Sequence, residues 1–287
     1  MFARKKDLIK FFLVIFLIIS LVSCGGDSND DSSSSACAVI GLPTKIINGT
    51  ACGENDRSPV VRVFTIVRDK GTGQTGAIYT CTATMLTADG GITAAHCFSY
   101  GDLLNQFQIL GTAIGTGNPG SIQLYTVSSI KTMSMSFGPN GRVLNDLAVF
   151  RLRTPANVPT LPINLSSAKN VGDEVFVYGY GQTKITDDPS PNDLATDLLS
   201  GETSLINVTN ELFFIGFSNK KDVNVCFGDS GGPLVHLGEN GATGAIGVLS
   251  QGANSDCGVG DVNSYTNITT GERLSFIQKN LPGARYN

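Results

Sequence analysis

From Ile46 onward the chain is a succession of short stretches in which apolar residues alternate with polar ones or run together. Val60–Val67, Tyr79–Leu86, Phe107–Leu110, Ile122–Ile130, Leu147–Leu152, Val175–Tyr178 and Ala245–Leu249 are the clearest, with glycine, proline and asparagine between them. A period of two, or a brief apolar run bounded by turn residues, predicts β-strands, so the pattern is all-β. Pro233–Leu237 is a further strand-like apolar run. One stretch departs from this: Glu272–Lys279 has apolar residues at near-helical spacing and Gly283 follows it, which predicts a C-terminal helix that packs rather than catalyses. Gly71-Thr72-Gly73-Gln74-Thr75-Gly76 lacks the Lys-Ser/Thr ending and strand-to-helix context of a phosphate loop and reads as a hairpin tip.

The first residues follow a different pattern. Arg4, Lys5 and Lys6 precede Leu8–Val22, apolar apart from Lys10 and Ser20, which predicts a secretory signal peptide over 1–23. Leu21-Val22-Ser23-Cys24 resembles a bacterial lipobox, so Cys24 is the expected lipid-bearing N-terminus of the mature chain. The serine- and aspartate-rich stretch after it is too polar to fold alone and reads as a tether. The chain is therefore expected at a bacterial cell-envelope membrane through Cys24, or secreted if Cys24 carries no lipid. In the whole chain of 287 residues, 41% are hydrophobic and 34 are glycine, which suits many short strands and turns. Without the signal peptide, 16 basic residues face 23 acidic ones, a net charge of −7 that argues against nucleic-acid binding. Six of the seven cysteines remain once Cys24 is set aside, an even number that predicts disulfides in an exported chain. Their spacing offers little for a metal, and none is expected.

The chemistry concentrates in Gly228-Asp229-Ser230-Gly231-Gly232-Pro233, where a serine sits between small residues in a tight turn. Serine is a weak nucleophile until a base takes its proton and an acid orients that base. The chain has two histidines. His96, in Thr93-Ala94-Ala95-His96-Cys97, is the better base; His236 closes an apolar run. Asp146 heads the run Leu147–Leu152, where its carboxylate can be buried and ionised against an imidazole.

These three motifs, in the order His, Asp, Ser, resemble those of the trypsin-like (chymotrypsin-type) serine endopeptidases, and the resemblance runs from about Ile46 to the C-terminus. It implies two six-stranded antiparallel β-barrels, over 46–160 and 161–287, with Pro155–Pro162 as crossover and the active site in the cleft between them. His96, Asp146 and Ser230 would be the triad, the amides of Gly228 and Ser230 the oxyanion hole, protein or peptide the substrate, and no cofactor would be needed. The resemblance also implies the disulfides Cys81–Cys97 and Cys226–Cys257. It places Cys52 where the family bonds a second-barrel cysteine that has no counterpart here between Val171 and Leu212, which makes Cys37 its implied partner. Lys45-Ile46-Ile47-Asn48-Gly49 resembles a zymogen activation site: cleavage after Lys45 would free the Ile46 amine to pair with Asp229, and 24–45 would be tether and propeptide.

Specificity departs from the trypsin pattern. Asn224 stands where trypsin has the aspartate that pairs with lysine or arginine, which argues against a strong basic preference and for a separate activating protease. Ser250-Gln251-Gly252 forms the expected pocket wall, with Gln251 in place of an aromatic residue, and Asn263 replaces a common glycine. A shift of two residues in this alignment would put the charge of Asp261 in the pocket and reverse the expectation. The competing reading is a non-catalytic binding or adhesion lipoprotein on the same scaffold, against which the complete set of His96, Asp146, Ser230, Gly228 and the Ile46/Asp229 pair speaks.

Overall fold

The computed structural model describes residues 50–51, 58–99, 103–117, 122–138, 141–166, 168–183, 194–195, 197–219, 222–238, 241–254 and 256–287. The expectations for Cys24, Cys37, Lys45, Ile46 and Cys52 lie outside them. Each strand predicted from patterning forms. In chain order the strands are β1 (Thr50–Ala51), β2 (Val60–Asp69), β3 (Thr75–Thr87), β4 (Gly90–Thr93), β5 (Phe107–Thr116), β6 (Gln123–Thr132), β7 (Ser136–Phe137), β8 (Val143–Leu144) and β9 (Ala148–Leu152). There follow β10 (Glu174–Gly179), β11 (Leu199–Val208), β12 (Leu212–Phe217), β13 (Pro233–Leu237), β14 (Thr243–Gln251) and β15 (Asp261–Asn267), then the C-terminal helix Gly271–Asn280.

Two closed antiparallel barrels result. The first runs β2-β3-β4-β9-β6-β5 and the second β11-β10-β13-β14-β15-β12, shut by the β11–β12 pairing, so neither leaves a long open edge. β1 pairs with β11, Thr50 opposite Ser200, and thereby joins the sheet of the second barrel. The hairpin tip lies where expected: Asp69 Oδ1 accepts the amides of Gly71 and Thr72 at 2.9 and 2.7 Å, and Gly73 takes the left-handed φ of +74° that closes the turn.

Alternation along single strands builds both cores. On β10, Val175 and Val177 face the interior of the second barrel, while Phe176 and Tyr178 join the core shared with the first. β14 divides Ile246 and Leu249 from Ala245 and Val248 in the same way. Strands buried on both faces read as continuous apolar runs, which is why these two were visible in the sequence. The C-terminal helix packs Ile277 into the first barrel's core beside Leu281, and its Asn280 carbonyl accepts a hydrogen bond from Arg151 Nε at 3.2 Å.

Because Ile277 is fully buried there, Ile277→Ala is expected to destabilise the protein by about 2–4 kcal/mol in denaturant unfolding, as for other large-to-small core changes. A loss under about 0.5 kcal/mol, the range of surface substitutions, would mean the helix is not part of the cooperative core.

Candidate active site

His96 lies in a single 3₁₀ turn, Ala95–Phe98, that caps β4, and Asp146 lies just before β9; β4 and β9 are neighbours, with Thr93 opposite Ala148. That pairing brings the two side chains together. Asp146 Oδ2 is 2.7 Å from His96 Nδ1, and Oδ1 accepts the backbone amide of His96 at 2.9 Å. The second barrel contributes as well: Ser250 Oγ donates to Asp146 Oδ2 at 2.6 Å, and Thr266 Oγ1 to the Asp146 carbonyl at 3.1 Å. Asn145 adopts a left-handed φ of +58°, tolerated by asparagine, and its side chain accepts a hydrogen bond from Arg273 Nη1 on the C-terminal helix at 3.1 Å. Burial of Asp146 at 1% exposure disfavours its charged form, but the hydrogen bonds and charge of His96, with the Ser250 hydroxyl, outweigh it and hold the carboxyl below its ordinary range. The imidazole is 35% exposed, so its other nitrogen has access to a reactant.

Ser230 is half-buried in the turn before β13, with its carbonyl fixed by the Thr82 amide at 2.8 Å and 4.0 Å from Cys97 Sγ, the residue after His96. The surrounding glycines answer to close packing. Gly231 has a φ of +82°, and a Cβ there would overlap Thr93 Oγ1 and the Thr82 carbonyl; on Gly232 it would overlap the Tyr178 carbonyl. Gly228, at φ +96°, has its carbonyl held by Tyr79 Oη at 2.6 Å and Thr82 Oγ1 at 2.9 Å. Neither hydroxyl was foreseen in the sequence. The β2–β3 register slips between Val63 and Phe64, which a simple two-residue alternation cannot show.

Asp229 is 2% exposed, and its carboxylate accepts the Gly181 amide at 2.7 Å and the Cys226 amide at 2.9 Å. Burial pushes its pKa up to about 7 against the pull of those amides. Among the described residues no cation meets it. Side chains on Gly179 or Gly181 would collide with this carboxylate, so both glycines are needed for its inward position.

A cavity of about 370 Å³ is lined by Ser230, Ser250, Gln251, Gly252, Asp261 and Asn263 among others. Asn224, expected as its base, lies one layer behind: it is fully buried and donates to the Cys257 carbonyl at 2.9 Å, while Asn263 Nδ2 donates to its Oδ1 at 2.6 Å. Gln251 Oε1 accepts the Val143 amide at 3.0 Å, tying the β7–β8 hairpin to the cavity wall. Cys81–Cys97 and Cys226–Cys257 are bonded, as the resemblance implies. The sulfurs of the first lie close to His96, but a disulfide cannot ligate a metal as thiolates do. His236 is elsewhere, buried on β13 with Asn164 Nδ2 3.4 Å from its Nδ1.

Comparison with known proteins agrees with this architecture. The model of the trypsin family matches residues 46–273. The chain is 27% identical to a renal glandular kallikrein of Mastomys natalensis over 248 residues, covering 78% of this chain and 83% of that protein. It is 26% identical to kallikrein 1-related peptidase b16 of Mus musculus over 274 residues, covering 90% and 94%.

Proposed function

The chain belongs to the trypsin family, and from that premise we propose that it is a serine endopeptidase made as a zymogen, with His96, Asp146 and Ser230 as its triad. The observation that carries this reading is the buried Asp146 carboxylate 2.7 Å from His96 Nδ1, beside a cavity that Ser230 lines. A carboxylate only accepts, so Nδ1 carries the proton and Nε2 keeps its lone pair for the serine. Ser230 Oγ attacks the peptide carbonyl carbon as His96 Nε2 takes its proton; the tetrahedral oxyanion collapses, and His96 returns that proton to the departing amine. Water, deprotonated by the same nitrogen, then hydrolyses the acyl-enzyme. The amides of Gly228 and Ser230 stabilise the oxyanion, and the hydroxyls of Tyr79 and Thr82 support this by holding the Gly228 carbonyl. Two disulfides suit an exported protein. On this reading the lipid at Cys24 tethers it to the membrane, and Cys37–Cys52 keeps the tether attached after the cut.

Activation follows from Asp229. A buried carboxylate met by amides alone is costly when charged, and the ammonium freed at Ile46 by cleavage after Lys45 would supply its counter-charge. The cut thus steadies the turn that carries Gly228 and Ser230.

The reading is tested by fluorophosphonate labelling of the exported chain before and after cleavage at Lys45. Labelling of the cut form alone, absent in Ser230→Ala, is expected; a folded, cut protein that takes no label would refute the enzyme, and labelling of the uncut chain would refute the switch. Asp146→Asn should lower kcat by about 10⁴-fold, because Nδ1 would no longer be kept protonated. A pH dependence follows too. With a folded pKa of about 7 against an ordinary 3.8, the uncut chain loses stability as pH rises from about 4 to 7, whereas the cut chain, with its ammonium in place, does not. The Tm advantage of cut over uncut Ser230→Ala protein should therefore widen across that interval; a constant gap would argue against the pair.

A further inference from the structure

We propose that Arg273 is a positioning residue for the triad: its guanidinium, acting through Asn145, fixes the turn that carries Asp146 and so the approach of that carboxylate to His96; this rests on the endopeptidase reading above. Arg273 lies in the first turn of the C-terminal helix, where a cation opposes the helix dipole, and at 7% exposure it is also desolvated. It shares the buried face of that helix with Ile277, four residues on, which belongs to the first barrel's core. Neither the dipole nor apolar packing accounts for a guanidinium at this position. Its contacts do.

Three of its nitrogens donate to three separate segments. Nε donates to the Asn267 carbonyl at the end of β15 at 2.7 Å, Nη2 to the Asn210 carbonyl between β11 and β12 at 2.5 Å, and Nη1 to Asn145 Oδ1 at 3.1 Å. Burial lowers the pKa of the guanidinium from its ordinary value, while the carboxylates of Glu211 and Glu272 favour its charge. A planar fork of donors can hold three directions at once, which the single nitrogen of a lysine on its flexible stem does not reproduce. Asn145 is the link to the triad. It has a φ of +58° and its carbonyl accepts the Leu147 amide at 2.8 Å, which makes Asp146 the middle residue of a three-residue turn. Thr266 Oγ1 holds that turn by the Asp146 carbonyl, and Arg273 holds it by the side chain just before. A turn rotated about its ends would carry both Asp146 oxygens with it, and these must meet His96 Nδ1 at 2.7 Å and the His96 amide at 2.9 Å together. A misplacement of about 1 Å in such a constellation can cost on the order of 100-fold in rate.

The test uses the cut, full-length mature chain, with active sites counted by fluorophosphonate. Arg273→Lys keeps the charge and loses the fork; it should lower kcat by about 10- to 100-fold and leave KM within about twofold. Asn145→Gly keeps the left-handed turn and every other contact of Arg273, removes the same hydrogen bond, and should lower kcat alike, also where the Arg273 variant does not fold. The double variant should lose no more than either single one, because both break one link. An Arg273→Lys enzyme with the parent's kcat, or losses that multiply in the double variant, would overturn the inference while the endopeptidase reading stands. Proton NMR of Ser230→Ala protein gives a second readout, the low-field resonance of the His96 Nδ1 proton held by Asp146. Adding Arg273→Lys or Asn145→Gly should broaden that resonance or move it upfield, and an unchanged resonance would overturn the proposal. The signal needs neither substrate nor serine, so it decides the role of Arg273 whether or not the chain takes label.

Discussion

The charge of Asp146 is the constraint on which the relative placement of the two barrels depends. A carboxylate at 1% exposure costs several kcal/mol unless its oxygens are met, and the groups that meet it come from separate parts of the chain. His96 contributes a ring nitrogen and an amide from the first barrel, Ser250 a hydroxyl from β14, and Thr266 a hydroxyl to the Asp146 carbonyl from β15. The Arg273 guanidinium reaches from the C-terminal helix to the Asn145 side chain, beside the left-handed residue that turns the chain into Asp146. A barrel rotated or slid by a few ångströms would leave this carboxylate unsatisfied, so docking of the barrels and orientation of the imidazole are one requirement rather than two.

The glycine-rich turn makes the same requirement in backbone terms. The Ser230 carbonyl takes the Thr82 amide across the interface, and Gly231 and Gly232 pack where any Cβ would strike Thr82, Thr93 or Tyr178. Glycine loses more chain entropy on folding than other residues, so three of them around one serine weaken the unfolded-to-folded balance locally. What they permit is contact between barrels close enough for the turn and the His96 turn to share one cleft.

Strands with two buried faces were legible because nothing in them is polar for long; β10 and β14 are the plain cases. Gly90-Gly91-Ile92-Thr93 was missed as a strand because glycine carries no pattern, yet Gly91 is held to that identity by the Thr84 carbonyl and the Phe150 ring. β15 was missed for a more informative reason. Asp261, Asn263, Ser264, Thr266 and Asn267 are all buried, and polar residues in a buried strand break the hydrophobic signal on which patterning relies. Several of them are polar because they serve the site: Thr266 binds the Asp146 carbonyl, and Asp261 and Asn263 border the cavity. His96, Asp146, Ser230 and Asp229 were readable because short motifs carry them, whereas Tyr79 and Thr82 reach Gly228 only through a register slip.

Asp146, Asp229 and Asp261 form a series of buried carboxylates met in different ways. Asp146 has its partner within the fold. Asp229 holds two amides and, on the proposed scheme, receives its cation from the new N-terminus; Asp261 holds three amides on one oxygen. The last two are physically connected. The Cys226 amide that binds Asp229 belongs to the residue disulfide-bonded to Cys257, and the Cys257 carbonyl is bound by Asn224, whose amide also contacts Asp261. A change in the ionisation or position of Asp229 therefore acts within one disulfide and three hydrogen bonds of Asp261 in the cavity lining. Pairing of Asp229 with an ammonium would steady Cys226 and Cys257, and through Asn224 the Asp261 side chain in the cavity lining. On the proposed scheme cleavage would then steady the Ser230 turn and the cavity lining together, for one electrostatic reason.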